Sequence, residues 1–293
     1  GVTVVASEAD GNSATANVSL SVADDVPTLS ITDTPNTVVE GESVNGTWAT
    51  DAGADGATVT VSVGDETQDL AADGTVTFTT DEGVLTVGGD GSWSFAASDD
   101  QVQTDTTTPS FGFTVTTEDS DGDTATDSQS IAITDGTGPT VTVTDGDDDV
   151  STGDVLDLSL DDAATDGGST DTDSGSLTFT AGSDAITSIG FGDVTNITVD
   201  GLDTDSELTW ATNDAGQLVG SLNGAPVLTL TLGNTGTIAA GGSAAVTVTA
   251  VLADSLPHGV DVDSLSISGV TVVASEADGN SATANVSLSV ADD

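Results

Sequence analysis

The chain lacks lysine, arginine, cysteine, methionine and tyrosine, and has a single histidine, His258, among 293 residues. Each absence closes off a class of chemistry. Without Lys or Arg, no carboxylate can form a salt bridge to a lysine or an arginine. The phosphates of nucleic acid or of an anionic membrane surface likewise meet nothing that could displace their counterions. No nucleic-acid partner is expected. Without Cys there is neither a disulfide nor a thiolate metal site, which is compatible with an extracellular home. No apolar run approaches the ~20 residues that span a bilayer, so membrane insertion is not expected either. His258, in "LPHG", has no nucleophile pattern beside it. A loop or packing role is therefore expected for it, and no enzymatic activity for the chain.

Negative charge is what the chain has in excess: 50 Asp and Glu, 42 of them Asp, for a formal charge of −50. With no internal cation, the repulsion must be offset from solution. Oxygen-only ligands select hard divalent ions, so Ca²⁺ is the expected cofactor. An acidic chain with 3% aromatic residues also fits disorder. Against that reading stand 35% hydrophobic residues and runs such as "ATVTVSV", "SWSFAA" and "VLTLTL". These alternate apolar with small polar residues at the period of a half-buried strand, and Gly or Asp turn signals separate them. No helical periodicity of useful length occurs. The expected fold class is all-β, and many short strands at this spacing favour sandwiches.

The segment "GVTVVASEADGNSATANVSLSVADD" occupies residues 1–25 and recurs letter for letter at 269–293. Identity over 25 positions at an offset of 268 implies a window cut from a tandem array with a 268-residue unit. A second, degenerate repeat aligns "FTVTTEDSDGDTATDSQSIAITD" (113–135) on residues 2–24 without gaps. Each copy is followed by a proline and a new strand, "PTLSITD" at 27–33 and "PTVTVTD" at 139–145. Three pieces are expected: 1–25, the C-terminal hairpin of a preceding module; 26–137, one module; and 138–293, a larger module ending in the repeated hairpin.

"EGESVNGTW", "GVLTVGGDGSWSFAAS" and "TEDSDGDTATDSQSIAIT" resemble the VCBS-like and cadherin-like immunoglobulin-type repeats of giant RTX-type bacterial adhesins exported by type I secretion. The closing "LPHGVDVDSLSISGVTVVASEADGNSATANVSLSVADD" is similar to the end of a longer repeat class in the same proteins. The resemblance covers nearly the whole chain. It implies tandem immunoglobulin-like β-sandwich modules in an extended array, stiffened by Ca²⁺, which carry a terminal binding domain away from the cell or build a matrix.

The turn "EDSDGDT" sets Asp119, Asp121 and Asp123 at alternate positions, with Glu118 beside them and Gly122 permitting the bend. Short carboxylates on a tight turn can converge on an ion that takes six to eight oxygens at roughly 2.3–2.6 Å. The flanks are strands and the bidentate twelfth-position Glu is missing, so this is no EF-hand. The matching turns offer Glu8 and Asp10 at one end and Glu276 and Asp278 at the other. In an immunoglobulin-like chain this turn lies at the end where the module's chain came in, facing the linker from the module before. That topology groups Glu118, Asp119, Asp121 and Asp123 with the junction residues Asp24 and Asp25. It groups Glu276 and Asp278 with Asp135. By analogy with cadherin-like modules, Glu40, Asp51 and Asp55 join the first group. The bland alternative for every turn is a solvated hairpin, since Asp and Gly are ordinary turn residues. The clusters Asp145–Asp149 and Asp161–Asp173 admit both readings. Trp48, Trp93 and Trp210 sit in strand-like runs and are expected in cores.

These readings converge on an extracellular, calcium-rigidified spacer or fibre segment of a large surface or matrix protein, partnered by identical repeats in the same chain or fibre. Two alternatives remain open. One is an adhesive module that binds a ligand. The other is the subunit of a filament assembled by strand addition, which a denaturing gel would separate from a covalent array.

Overall fold

A computed structural model describes residues 1–21, 25–32, 35–54, 56–103, 107–144, 155–165 and 168–292. Strands β1 (Val2–Ser7) and β2 (Ser13–Val18) form a hairpin that joins no other sheet among the described residues.

Ten strands follow: β3 (Thr28–Thr32), β4 (Thr37–Val39), β5 (Ser43–Asp51), β6 (Ala57–Val63), β7 (Glu66–Leu70), β8 (Thr75–Thr79), β9 (Gly83–Gly88), β10 (Ser92–Ala97), β11 (Ser110–Asp119) and β12 (Thr124–Thr134). They make two facing sheets, in the orders β3-β5-β10-β9-β8 and β4-β12-β11-β6-β7. The opening strand is split between them. β3 pairs antiparallel with β5, and β4 crosses over to run parallel to the last strand, β12. This is an immunoglobulin-like sandwich. Alternation builds its core. In β10 the residues Trp93, Phe95 and Ala97 point inward between exposed Ser92, Ser94 and Ala96. Phe95 stacks on Phe111 of the opposite sheet at 4.2 Å, and Trp93 tilts over Phe113 at 5.2 Å. Such pairs add about 0.5–1.5 kcal/mol beyond the area they bury. Trp48 is also interior, its Nε1 donating to Gly88 O at 3.0 Å.

The second sandwich holds β13 (Thr140–Thr144), β14 (Val155–Asp161), β15 (Asp171–Thr180), β16 (Ile186–Phe191), β17 (Thr198–Asp200), β18 (Leu208–Thr212), β19 (Leu218–Leu222), β20 (Ala225–Gly233), β21 (Ser243–Leu252), β22 (Ser264–Glu276) and β23 (Ser281–Ala291). One sheet runs β13-β15-β21-β20-β19-β18, and the other runs β14-β23-β22-β16 with β17 also on β22. The split first strand recurs, β14 lying parallel to β23. This core is mostly aliphatic, with Leu156, Leu158, Leu160, Leu177, Val248 and Leu288 all interior and Trp210 half-buried against it. Helix is confined, among the described residues, to two short 3-10 turns, Asp162–Thr165 and Val194–Asn196. Among the described residues, no helix is long and apolar enough to cross a membrane.

The duplicated segment is seen in two environments. Both copies form the same hairpin, Val2 opposite Val18 and Ser7 opposite Ser13 in one, Val270 opposite Val286 and Ser275 opposite Ser281 in the other. Turn and pattern therefore set the register without help from a core. In the second copy Val270, Val272 and Leu288 are at most 2% exposed, whereas their counterparts Val2, Val4 and Leu20 are 58%, 55% and 78% exposed. The first hairpin thus presents an exposed apolar face that its identical copy buries within the second sandwich.

Candidate metal centre

The three acidic turns are one structure with three ligand sets. In each, an acidic residue at or just after the end of the first strand donates its N–H across the turn: Glu8 N to Asn12 O at 2.8 Å, Asp119 N to Asp123 O at 3.0 Å, Glu276 N to Asn280 O at 2.9 Å. Gly11, Gly122 and Gly279 take φ of 96°, 102° and 105°, a left-handed region that costs glycine nothing. The strand-ending residue is buried in the two sandwiches, Asp119 at 6% and Glu276 at 4% exposure. Glu8 and Asp10 are exposed on the open hairpin, where Asp10 Oδ2 accepts from Asn12 Nδ2 at 3.0 Å.

At the leading end of the first sandwich, Asp119, Asp121 and Asp123 offer ligand atoms within 4.8 Å of one another. Asp119 Oδ1 accepts from Gly122 N at 3.0 Å and Asp123 N at 2.8 Å. A hydrogen bond from the Asp121 carboxyl, then these N–H groups, holds Asp119 below the usual carboxylate range. Glu118 does not join them, because strand alternation turns it to the exposed face. Asp25 accepts from Ala54 N at 2.6 Å, and Asp51 from Gly53 N at 3.2 Å, so both carboxylates hold the loop that follows β5. Asp24, Asp55 and Asp145–Asp149 lie outside the described residues. In the Asp161–Asp173 cluster, Asp171 and Asp173 cap the backbone N–H groups of Asp161 and Ser159.

The densest arrangement lies where the two sandwiches meet. Asp135, immediately after β12, receives a hydrogen bond from Asn280 Nδ2 at 2.7 Å, which ties it to the turn that carries Glu276 and Asp278. Glu40, expected with Asp119, lies instead with Asp135. The short parallel pairing of β4 with β12 ends beside it, and Glu40 N donates to Thr134 O at 3.0 Å. Its oxygens accept from Gly136 N and Gln101 N, both at 3.0 Å. Asp184, which no motif marked, comes in from the turn before β16. Glu40, Asp135 and Asp184 offer ligand atoms within 4.8 Å, as do Asp184, Glu276 and Asp278, so Asp184 belongs to both triads.

The chain around these carboxylates is tightly fitted. Ser183 N donates to Thr137 O at 2.9 Å, Asp100 N to Ser183 O at 3.1 Å, and Ala185 N to Asp100 Oδ1 at 3.0 Å. A Cβ at Gly182 would run into Thr137 O, so only glycine lets the linker approach this closely. Glu40, Asp184 and Glu276 are 3%, 3% and 4% exposed. Glu276 Oε1 takes one long hydrogen bond, from Gly182 N at 3.4 Å, and Glu276 Oε2 and Asp184 Oδ2 are buried with no hydrogen-bond partner. Burial first, then the charges of Glu40 and Asp278, push the Asp184 carboxyl up to about 7. Glu276 is also raised, by burial above all. Two carboxylates about 4 Å apart repel by roughly 4 kcal/mol at an effective dielectric of 20. Two triads of carboxylates that share Asp184, with two buried oxygens lacking donors, in a chain without Lys or Arg, suit a divalent ion with oxygen ligands: the ligand atoms are hard, anionic and already converged.

No family model and no curated protein matches the chain. Among solved structures it is similar to a tetra-tandem repeat in the extending region of a large adhesion protein, at 19% identity over 98% of this chain and 55% of that one, with a TM-score of 0.25. It is similar to a 1.5-MDa bacterial ice-binding adhesin at 17% identity, over 99% of this chain and 74% of that one, with a TM-score of 0.25. It is similar to fibronectin(III)-like modules of Clostridium thermocellum CbhA at 10% identity, over 90% and 94% of the two chains, with a TM-score of 0.23.

Proposed function

We propose that the chain is a non-catalytic spacer segment of a large extracellular adhesin or matrix protein of the RTX type, and that Ca²⁺ stiffens it by binding at the junctions between sandwiches. The observation that carries this reading is the junction itself, where Glu40 and Asp135 of one sandwich meet Asp184, Glu276 and Asp278 of the next, with buried oxygens left without donors. An ion held there bridges both modules and fixes their relative orientation. The exposed apolar face of the first hairpin supports the repeat reading, since its identical copy is covered by a sandwich body. Its partner is a neighbouring repeat.

The test is calcium affinity after Glu276→Gln, which keeps the shape and removes one anionic ligand. At least one calcium per chain should weaken by about tenfold or more, a loss of about 1.4 kcal/mol. Titration calorimetry that gives the same stoichiometry and affinities for the variant as for the parent would sink the assignment.

A further inference from the structure

The trailing end of the second sandwich carries a cluster of different chemistry. Asp162 directly follows β14, as Glu40 follows β4, and Asp292 directly follows β23, as Asp135 follows β12. The parallel register of Asp161 with Ala291 sets the two carboxylates side by side. Beside them comes an imidazole, where the contact between the two sandwiches has only carboxylates. The segment Leu256–Gly259 is pinned by the bridge between Leu202 and His258 and by Gly259 N donating to Gly201 O at 2.8 Å. His258 Nε2 then lies 3.1 Å from Asp162 Oδ2, with both side chains 3% exposed. Asp162 Oδ2 also accepts from Leu256 N at 3.1 Å, which fixes the carboxylate. Asp162 Oδ1 and His258 Nδ1 are buried with no hydrogen-bond partner.

We infer that Asp162, His258 and Asp292 form a site for a first-row transition-metal ion of the zinc class. Their ligand atoms lie within 4.8 Å of one another. Zinc bonds of about 2.0–2.2 Å in tetrahedral geometry put ligand atoms about 3.3–3.6 Å apart, so the 3.1 Å separation of the imidazole nitrogen and the carboxylate oxygen needs only a small adjustment. An imidazole with two carboxylates is a mixed nitrogen and oxygen set that zinc accepts and calcium does not prefer. Three protein ligands leave a fourth position open. The site stands whether or not the junction between the two sandwiches holds calcium.

Because His258 is the chain's only histidine, a nitrogen-15 spectrum of the imidazole region contains one ring. The experiment adds zinc to the full chain in millimolar calcium, which occupies the all-oxygen sites. One equivalent of zinc should shift the His258 ring nitrogens, and calcium alone should not. His258→Gln and the exposed Asp292→Asn should each weaken this zinc site by about tenfold or more. A ring unmoved by zinc, a ring moved equally by calcium, or an unchanged tightest zinc affinity in His258→Gln would overturn the site. The unmodified chain supplies the first two readouts, so they do not depend on any variant folding.

Discussion

Excess EDTA should lower the melting temperature of the chain by about 5–10 °C for each calcium site that was saturated. A site filled a hundredfold above its dissociation constant adds about 2.7 kcal/mol to the folded state. For folding units of 150–250 residues, 1 kcal/mol moves the melting temperature by about 2–4 °C. The effect is expected to be large because no Lys or Arg balances the buried carboxylates at Glu40, Asp184 and Glu276. Extracellular modules bind calcium at about 10⁻⁴–10⁻³ M, so millimolar calcium should restore the original melting curve. Magnesium, which demands a tighter octahedral shell and keeps its waters, should restore it poorly. Differential scanning calorimetry with and without the chelator makes the measurement; a superposable pair of curves would remove calcium from the account.

Asp184→Asn should act in opposite directions with and without calcium. In EDTA, Asp184 is one of several buried acids that repel one another, so neutralising it should raise the melting temperature by several degrees. In calcium, the same change deletes the carboxylate common to both triads and should lower the melting temperature toward the chelated value. The pH dependence follows from the same group. Its carboxyl is raised from 3.8 to about 7 in the folded chain, so between those values the folded state binds more protons than the unfolded state. Its contribution to stability is fully present below about 3.8 and is lost as pH rises through about 7. The chelated parent should therefore melt higher at pH 5 than at pH 8, and Asp184→Asn should flatten that slope. A variant that destabilises equally in both media would show Asp184 to be packing and not charge.

Much of the architecture is legible in the sequence because strands advertise themselves by period two. β10 reads Ser-Trp-Ser-Phe-Ala-Ala and buries every second residue. The degenerate repeat also exposes the equivalence of Glu8, Asp119 and Glu276, and the Asp and Pro junction places Asp135 with Glu276 and Asp278. Other parts leave no local trace. β4 is three residues long, too short for a pattern, yet its parallel pairing with β12 is what carries Glu40 to Asp135 and away from Asp119. Asp184 stands alone between two strands in "AGSDAIT", and only the close approach of Gly182 to Thr137 brings it into the junction. Glu118 fails by a single step of alternation, which sends it to the opposite face from Asp119. Asp162 is hidden among a run of acids, and only its pairing with a histidine 96 positions later distinguishes it.

The most direct test of a calcium-stiffened junction is small-angle scattering of the full chain across a calcium titration, with Glu276→Gln alongside. Calcium should narrow the pair-distance distribution and fix the maximum dimension, while chelation should broaden it. The variant should need more calcium to reach the same profile. Profiles that do not change between EDTA and millimolar calcium would show that calcium does not stiffen the junction.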